Sequence, residues 1–125
     1  MKERIDGYVD FSTLSPMITA KLISSNNEEI EFPAIIDTGY NGEVILPESK
    51  IHEMDLEFLG TIDSELANGE VVGIELFKGK SKWFNTIREI TIGASQSNDA
   101  LLGTLLLVNC ELDVNFKQGW VKIEH

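Results

Sequence analysis

Asp37 stands where the apolar run Ala34-Ile35-Ile36 stops and the short polar stretch Thr38-Gly39-Tyr40-Asn41-Gly42 begins. An ionisable carboxylate at such a point can work as a general acid or base. The same Asp-Thr-Gly also suits an ordinary Asx turn, with the carboxylate capping local amides and Gly39 at positive φ, and the triplet alone does not separate the two. The other candidates are thinner. His52 lies in a charged stretch and reads as solvated, His125 ends the sequence, and Asp99 precedes an apolar run as a loop or capping carboxylate. Cys110 is the one cysteine and reads as a small buried hydrophobe. Two histidines and one cysteine build neither an internal disulfide nor a thiolate metal centre, so no metal or other cofactor is expected. Trp83 and Trp120 read as packing residues.

The elements around Asp37 are strands. Ile18, Ala20 and Leu22 alternate with Thr19 and Lys21, and Ile30, Phe32, Ala34 and Ile36 alternate with Glu29, Glu31, Pro33 and Ile35, with a turn at Ser24–Asn27 between them. This predicts a hairpin whose second strand delivers Asp37. Pro33 cannot donate to a ladder and marks an edge or bulge. Val44-Ile45-Leu46-Pro47 is a short buried strand, and Ile51, Met54 and Phe58 share one face of a short helix closed by Gly60. Strands 62–67 and 71–76 flank Asn68-Gly69, a pair suited to a type I′ turn with both residues at positive φ. Further strands are expected at 80–84 and 87–92. Ala100-Leu101-Leu102 reads as a buried strand ending at Gly103, with a second short helix in the leucines that follow. Strands at 112–116 and 120–123 close a mostly β domain, 1–125, for which a closed or nearly closed barrel with one or two short helices is expected.

Composition narrows the function. The 125 residues carry 10 Lys and Arg against 21 Asp and Glu, a net charge of −11, which disfavours nucleic acid and anionic membrane as partners. The N-terminal Met1-Lys2-Glu3-Arg4-Ile5-Asp6-Gly7 mixes charges, and no apolar stretch is long enough to cross a bilayer. A cytoplasmic location is expected.

Taken together, these patterns resemble the retropepsin-like aspartic proteases of clan AA, and within them the small prokaryotic single-domain members that carry an aromatic after the triplet. The resemblance covers most of the chain. It is carried by Ile35-Ile36-Asp37-Thr38-Gly39-Tyr40, by Leu46-Pro47, by Leu66-Ala67-Asn68-Gly69 and by Leu101-Leu102-Gly103. The closing Leu112-Asp113-Val114-Asn115-Phe116 and Gly119-Trp120-Val121-Lys122-Ile123 complete it. It implies an aspartic endopeptidase that hydrolyses extended peptides, with Asp37 as the catalytic residue and Thr38 and Gly39 supporting the active-site loop. Ala67, Asn68 and Gly69 would form a flap over the substrate, and Leu102 and Gly103 a structural support. Peptide hydrolysis needs a base for water and an acid for the leaving amide, and two carboxylates sharing a proton supply both. One triplet per chain therefore implies a homodimer with Asp37 from each protomer on a two-fold axis.

The sequence departs from the retroviral pattern after Gly103, where Thr104 and Leu105 replace the polar or charged residues that tie down the active-site region. The N-terminal segment and the strand 120–124 are expected to pair between chains instead. The net charge predicts a preference for basic or neutral peptides on the acid side of neutral. Two other readings fit the same residues: a catalytically silent peptide-binding module of this fold, and a structural barrel in which the triplet is accidental.

Overall fold

The computed structural model describes residues 3–125; Met1 and Lys2, part of the N-terminal reading above, lie outside it. Ten strands form one sheet in the order β5-β6-β7-β4-β8-β3-β2-β1-β10-β9, curled so that β2 also pairs with β6. In chain order they are β1 (Arg4–Asp10), β2 (Ser15–Ile23), β3 (Glu29–Ile36), β4 (Val44–Pro47), the helix α1 (Glu48–Met54), β5 (Glu57–Glu65), β6 (Val71–Trp83), β7 (Thr86–Ser95), β8 (Ala100–Leu102), β9 (Glu111–Asn115) and β10 (Trp120–Glu124). The alternation read from the sequence sets the inside: Ile18, Ala20 and Leu22 of β2 and Phe32, Ala34 and Ile36 of β3 are buried, while Thr19, Lys21 and Glu31 are exposed. Leu46, Ile92 and Ile123 are completely buried at the centre of the core, each contributing about 1.5–3 kcal/mol of apolar burial.

Several expectations need correction. A single helix is present among the described residues. The leucines after Gly103 form successive turns, with Leu107 N–H bonded to Thr104 O and Cys110 N–H to Leu107 O, both at 2.9 Å. Asn109 at φ 66° ends them before a helical ladder can form. Helix α1 stops at Asp55, which adopts the left-handed conformation at φ 52° and returns its N–H to His52 O. Phe58 therefore belongs to β5, where its ring meets Phe77 edge-on at 5.5 Å. The two strands expected at 71–76 and 80–84 are one long β6. Pro33 sits in an interior strand, but β8 pairs with β3 only from Ala34 onward, so the proline falls where that side of β3 has no partner.

The largest correction concerns the termini. β1 pairs with β10 of the same chain, Arg4 opposite Glu124 through Tyr8 opposite Trp120, and β10 pairs in turn with β9. The N-terminal segment and the last strand are thus already partnered within one protomer and do not wait for a second.

Candidate active site

β3 carries the chain toward Asp37 and β4 carries it away, and the three residues of β8 lie between them. β8 runs parallel to β3, with Ile36 beside Leu102, and antiparallel to β4, with Val44 opposite Leu102. The loop 37–43 therefore spans the end of β8, and the chain beyond Leu102 closes under it. Asp37 N–H bonds to Leu102 O at 2.9 Å, Gly103 N–H to Glu43 O at 2.8 Å, Thr104 N–H to Tyr40 O at 2.8 Å and Leu105 N–H to Gly42 O at 3.2 Å. The Thr104 hydroxyl adds a second bond to Tyr40 O at 3.2 Å. Thr104 thus ties down the loop with its amide and hydroxyl, without the charges that the retroviral pattern uses at this place.

Asp37 is half-buried and Thr38 and Gly39 are exposed beside it. The Gly39 amide donates to Asp37 Oδ1 at 2.9 Å, and Tyr40 N–H donates to Asp37 O at 3.1 Å. Gly39 is not at the positive φ expected of the Asx turn. Its small size matters instead, because a Cβ there would lie 3.2 Å from Asp37 Oδ1. Tyr40 packs between two further glycines: a Cβ on Gly42 would run into the Tyr40 hydroxyl, and one on Gly103 would lie 2.6 Å from Tyr40 Cδ2. Burial, assisted by the negative charge of Glu43, pushes the Tyr40 hydroxyl above its usual value of 10.0.

Sequence reading missed Glu43. Its side chain is 12% exposed, its Oε1 accepts the Thr91 N–H at 2.8 Å and its Oε2 meets Arg88 Nη2 at 3.4 Å, so it fastens the loop to β7. The available signal was modest: Glu43 is the one charged residue between Thr38 and Pro47.

The tip at Ala67, Asn68 and Gly69 lies apart from this cluster, exposed at the end of the β5–β6 hairpin. The turn is not type I′. Leu66 N–H bonds to Glu70 O at 2.7 Å and Gly69 N–H to Leu66 O at 2.9 Å, and Gly69 alone takes positive φ, 87°, while the Asn68 side chain caps Glu70 N–H at 3.0 Å. This is a three-residue loop with a glycine bulge. Phe58, Leu59, Ile62 and Val71 of the hairpin are at least half exposed. The structure thus brings Asp37, Thr38 and Gly39 together with Leu102 and Gly103, and holds Ala67–Gly69 on a separate projecting arm. Among the described residues no cluster of His, Cys, Asp and Glu suits a metal ion. Cys110 is half-buried rather than fully buried, and burial pushes its thiol up, against the opposing pull of Trp83 and Arg88.

No protein-family model matches the chain, and no curated protein sequence matches it either. Solved structures do. A retropepsin-like aspartic protease from Rickettsia conorii superposes over 100% of this chain and 92% of its own, with a TM-score of 0.70 at 16% identity. The chain has the retropepsin-like fold. A weaker likeness is to conglutin gamma, a basic 7S globulin of lupine seeds, with a TM-score of 0.52 at 9% identity over 97% of this chain. The chain spans about half, 48%, of that protein. No helix among the described residues is long and apolar enough to cross a membrane.

Proposed function

We infer that the chain is an aspartic peptidase that works as a homodimer, with water activated between the Asp37 carboxylates of two protomers. The observation that carries this reading is the placement of Asp37: half-exposed at the end of β3, one carboxylate oxygen engaged by the Gly39 amide, in a loop clamped from below by Leu102–Leu105. One carboxylate takes a proton from water as it attacks the peptide carbonyl, and the protonated partner gives its proton to the departing amide nitrogen, so that the C–N bond breaks to a carboxylic acid and an amine. Thr38 and Gly39 form the exposed rim of the loop. Ala67, Asn68 and Gly69 at the hairpin tip close over an extended peptide and offer it main-chain hydrogen bonds.

Because β1 is closed on β10 within the protomer, a dimer must meet elsewhere. Residues 100–110 and 38–42 carry no charge in a chain of net charge −11, and Leu105 and Val108 there are 46% and 59% exposed. Two strongly acidic bodies approach at least electrostatic cost through such a surface. The reading extends to neutral or basic peptides as substrates, acid-side activity and action inside the cell.

The test is digestion of a diverse unstructured peptide library from about pH 4 to 7, with sedimentation measured at the same concentration. Wild type should yield fragments that Asp37→Asn reduces by at least about a hundredfold. Asn keeps an Oδ1 acceptor for Gly39, so the variant should fold normally. A dimeric wild type that cleaves nothing refutes the peptidase reading and leaves a peptide-binding module of the same fold.

A further inference from the structure

A cavity of about 490 Å³ opens on the molecule without Asp37 in its lining, and its origin lies in the strand pairing. β1 pairs with β2 only over Tyr8–Asp10 and Ser15–Met17, and β2 gains β6 as a neighbour only at Leu22 and Ile23. Between these points residues 18–21 have β3 along one edge and no strand along the other, and residues 4–7 of β1 likewise have β10 alone. The strands part beyond Gly7, where the missing side chain lets β1 press against the Met17 carbonyl and Ile18. Two strand edges without a strand partner thus face each other across an opening, where the Lys21 carbonyl accepts the Ser81 hydroxyl at 3.0 Å.

The floor of the opening is apolar: Ile18, Ala20, Val44, Leu102 and Leu106, all buried, with Trp83 at the side. The rim is not. Arg4, Lys21 and Lys82 stand there against Glu3 and Asp6, three cations to two acids in a chain with 10 cations and 21 acids overall. With Glu29, which pairs with Lys82, cations and acids balance at the rim, against the twofold acid excess of the whole chain. Arg4 meets Asp6 at 3.0 Å and Lys82 meets Glu29 at 3.8 Å, in each case between exposed side chains. Such pairs contribute under about 1 kcal/mol in water and give way readily to another anion.

We propose that this cavity is a binding site for a small amphipathic anion, a carboxylate on an unbranched apolar tail. The tail lies on the floor, and the head meets Arg4, Lys21, Lys82 and the free amides of the two strand edges. The volume falls within the range of roughly 300–1,000 Å³ usual for small-ligand sites, which combine an apolar lining with a few directing polar groups. The free edge of residues 18–21 is short for strand addition by a peptide, and Lys21, which has no ion-pair partner among the described residues, favours an anionic head over a cationic one. Leu102 joins this floor to the Asp37 loop, since its carbonyl accepts the Asp37 N–H. The proposal does not depend on the peptidase reading.

The test uses the full chain in a Trp120→Phe background, which leaves Trp83 as the single indole. Decanoate and decyltrimethylammonium, matched in tail and opposite in head charge, are titrated below their micelle concentrations, with Trp83 emission and melting temperature as readouts. Decanoate should give a saturable emission change and raise the melting temperature, and the cation should bind at least about tenfold more weakly. Lys21→Glu combined with Lys82→Glu, both at exposed positions, should leave the ligand-free melting temperature within a few degrees and weaken decanoate by a similar factor. No saturable change, equal affinity for the two heads, or unaltered decanoate binding by the double variant would each overturn the proposal.

Discussion

Replacing Gly103 by alanine tests whether the loop bearing Asp37 is held by backbone contact. The new methyl would fall on the Gly42 carbonyl oxygen, 2.6 Å from Tyr40 Cδ2 and 2.8 Å from Tyr40 O. Two of these three obstacles are carbonyls already accepting hydrogen bonds, from Leu105 and from Thr104. The loop must therefore lift, and the cost combines overpacking of about 1–3 kcal/mol with the weakening of two bonds of about 1 kcal/mol each. A total near 3 kcal/mol corresponds to a fall of about 12 °C in melting temperature for a chain of this size. Gly69→Ala is the matched control: Gly69 has positive φ but open space around its Cβ position, so only about 1–2 kcal/mol of left-handed strain applies. Thermal denaturation followed by circular dichroism reads both. A fall of less than about 4 °C for Gly103→Ala would refute the close-packed loop and the support assigned to Gly103.

The remaining predictions concern the same loop and its neighbours. Glu43→Gln retains an acceptor for Thr91 N–H and loses the charge facing Arg88, so it should cost about 1 kcal/mol, whereas Glu43→Ala strands the amide and should cost about 2–3 kcal/mol; urea denaturation distinguishes them. The folded state holds the Tyr40 proton above the ordinary value of 10.0, so the stability tied to this group is complete below pH 10 and is lost as pH rises through the folded value. Tyr40→Phe should remove up to about 1.4 kcal/mol per pH unit of that alkaline loss, seen as the difference between the two proteins' stability profiles. Leu105→Glu with Val108→Glu places two charges on the uncharged surface beside Asp37 and should shift sedimentation to the monomer with an unchanged circular dichroism spectrum. An intact dimer in that variant would move the contact to another face.

Much of the site was legible because short-range rules govern it. Alternation in β2 and β3, the stop after Ile36 and the Leu102-Gly103 pair each carry local information, and the fold joins them through one three-residue strand. β1 was expected only as an N-terminal segment pairing between chains, with no strand bounds, although its residues do alternate. Its inward positions are Ile5, Gly7 and Val9, and the glycine, required by the close approach of Met17, removes the middle of the apolar signal. The leucines after Gly103 misled in the other direction. Their spacing suits a helix, but only seven residues separate Gly103 from β9, and Asn109 turns the chain before a ladder can form. Glu43 acts across 48 residues on the Thr91 amide, a distance that no local pattern reports.

The closure of β1 on β10 inside one protomer separates two equilibria. Where chains complete each other's sheets by exchanging termini, folding and association are one event, and stability rises with concentration by mass action. Here the protomer pairs its own terminal strands, so melting temperature should fall on dilution only while the dimer is populated and then level off at the value of a folded monomer. A dyad shared by two such protomers would then switch off by dilution alone, through a folded and recoverable monomer. Local abundance, rather than unfolding or destruction of the chain, would set how much active enzyme is present.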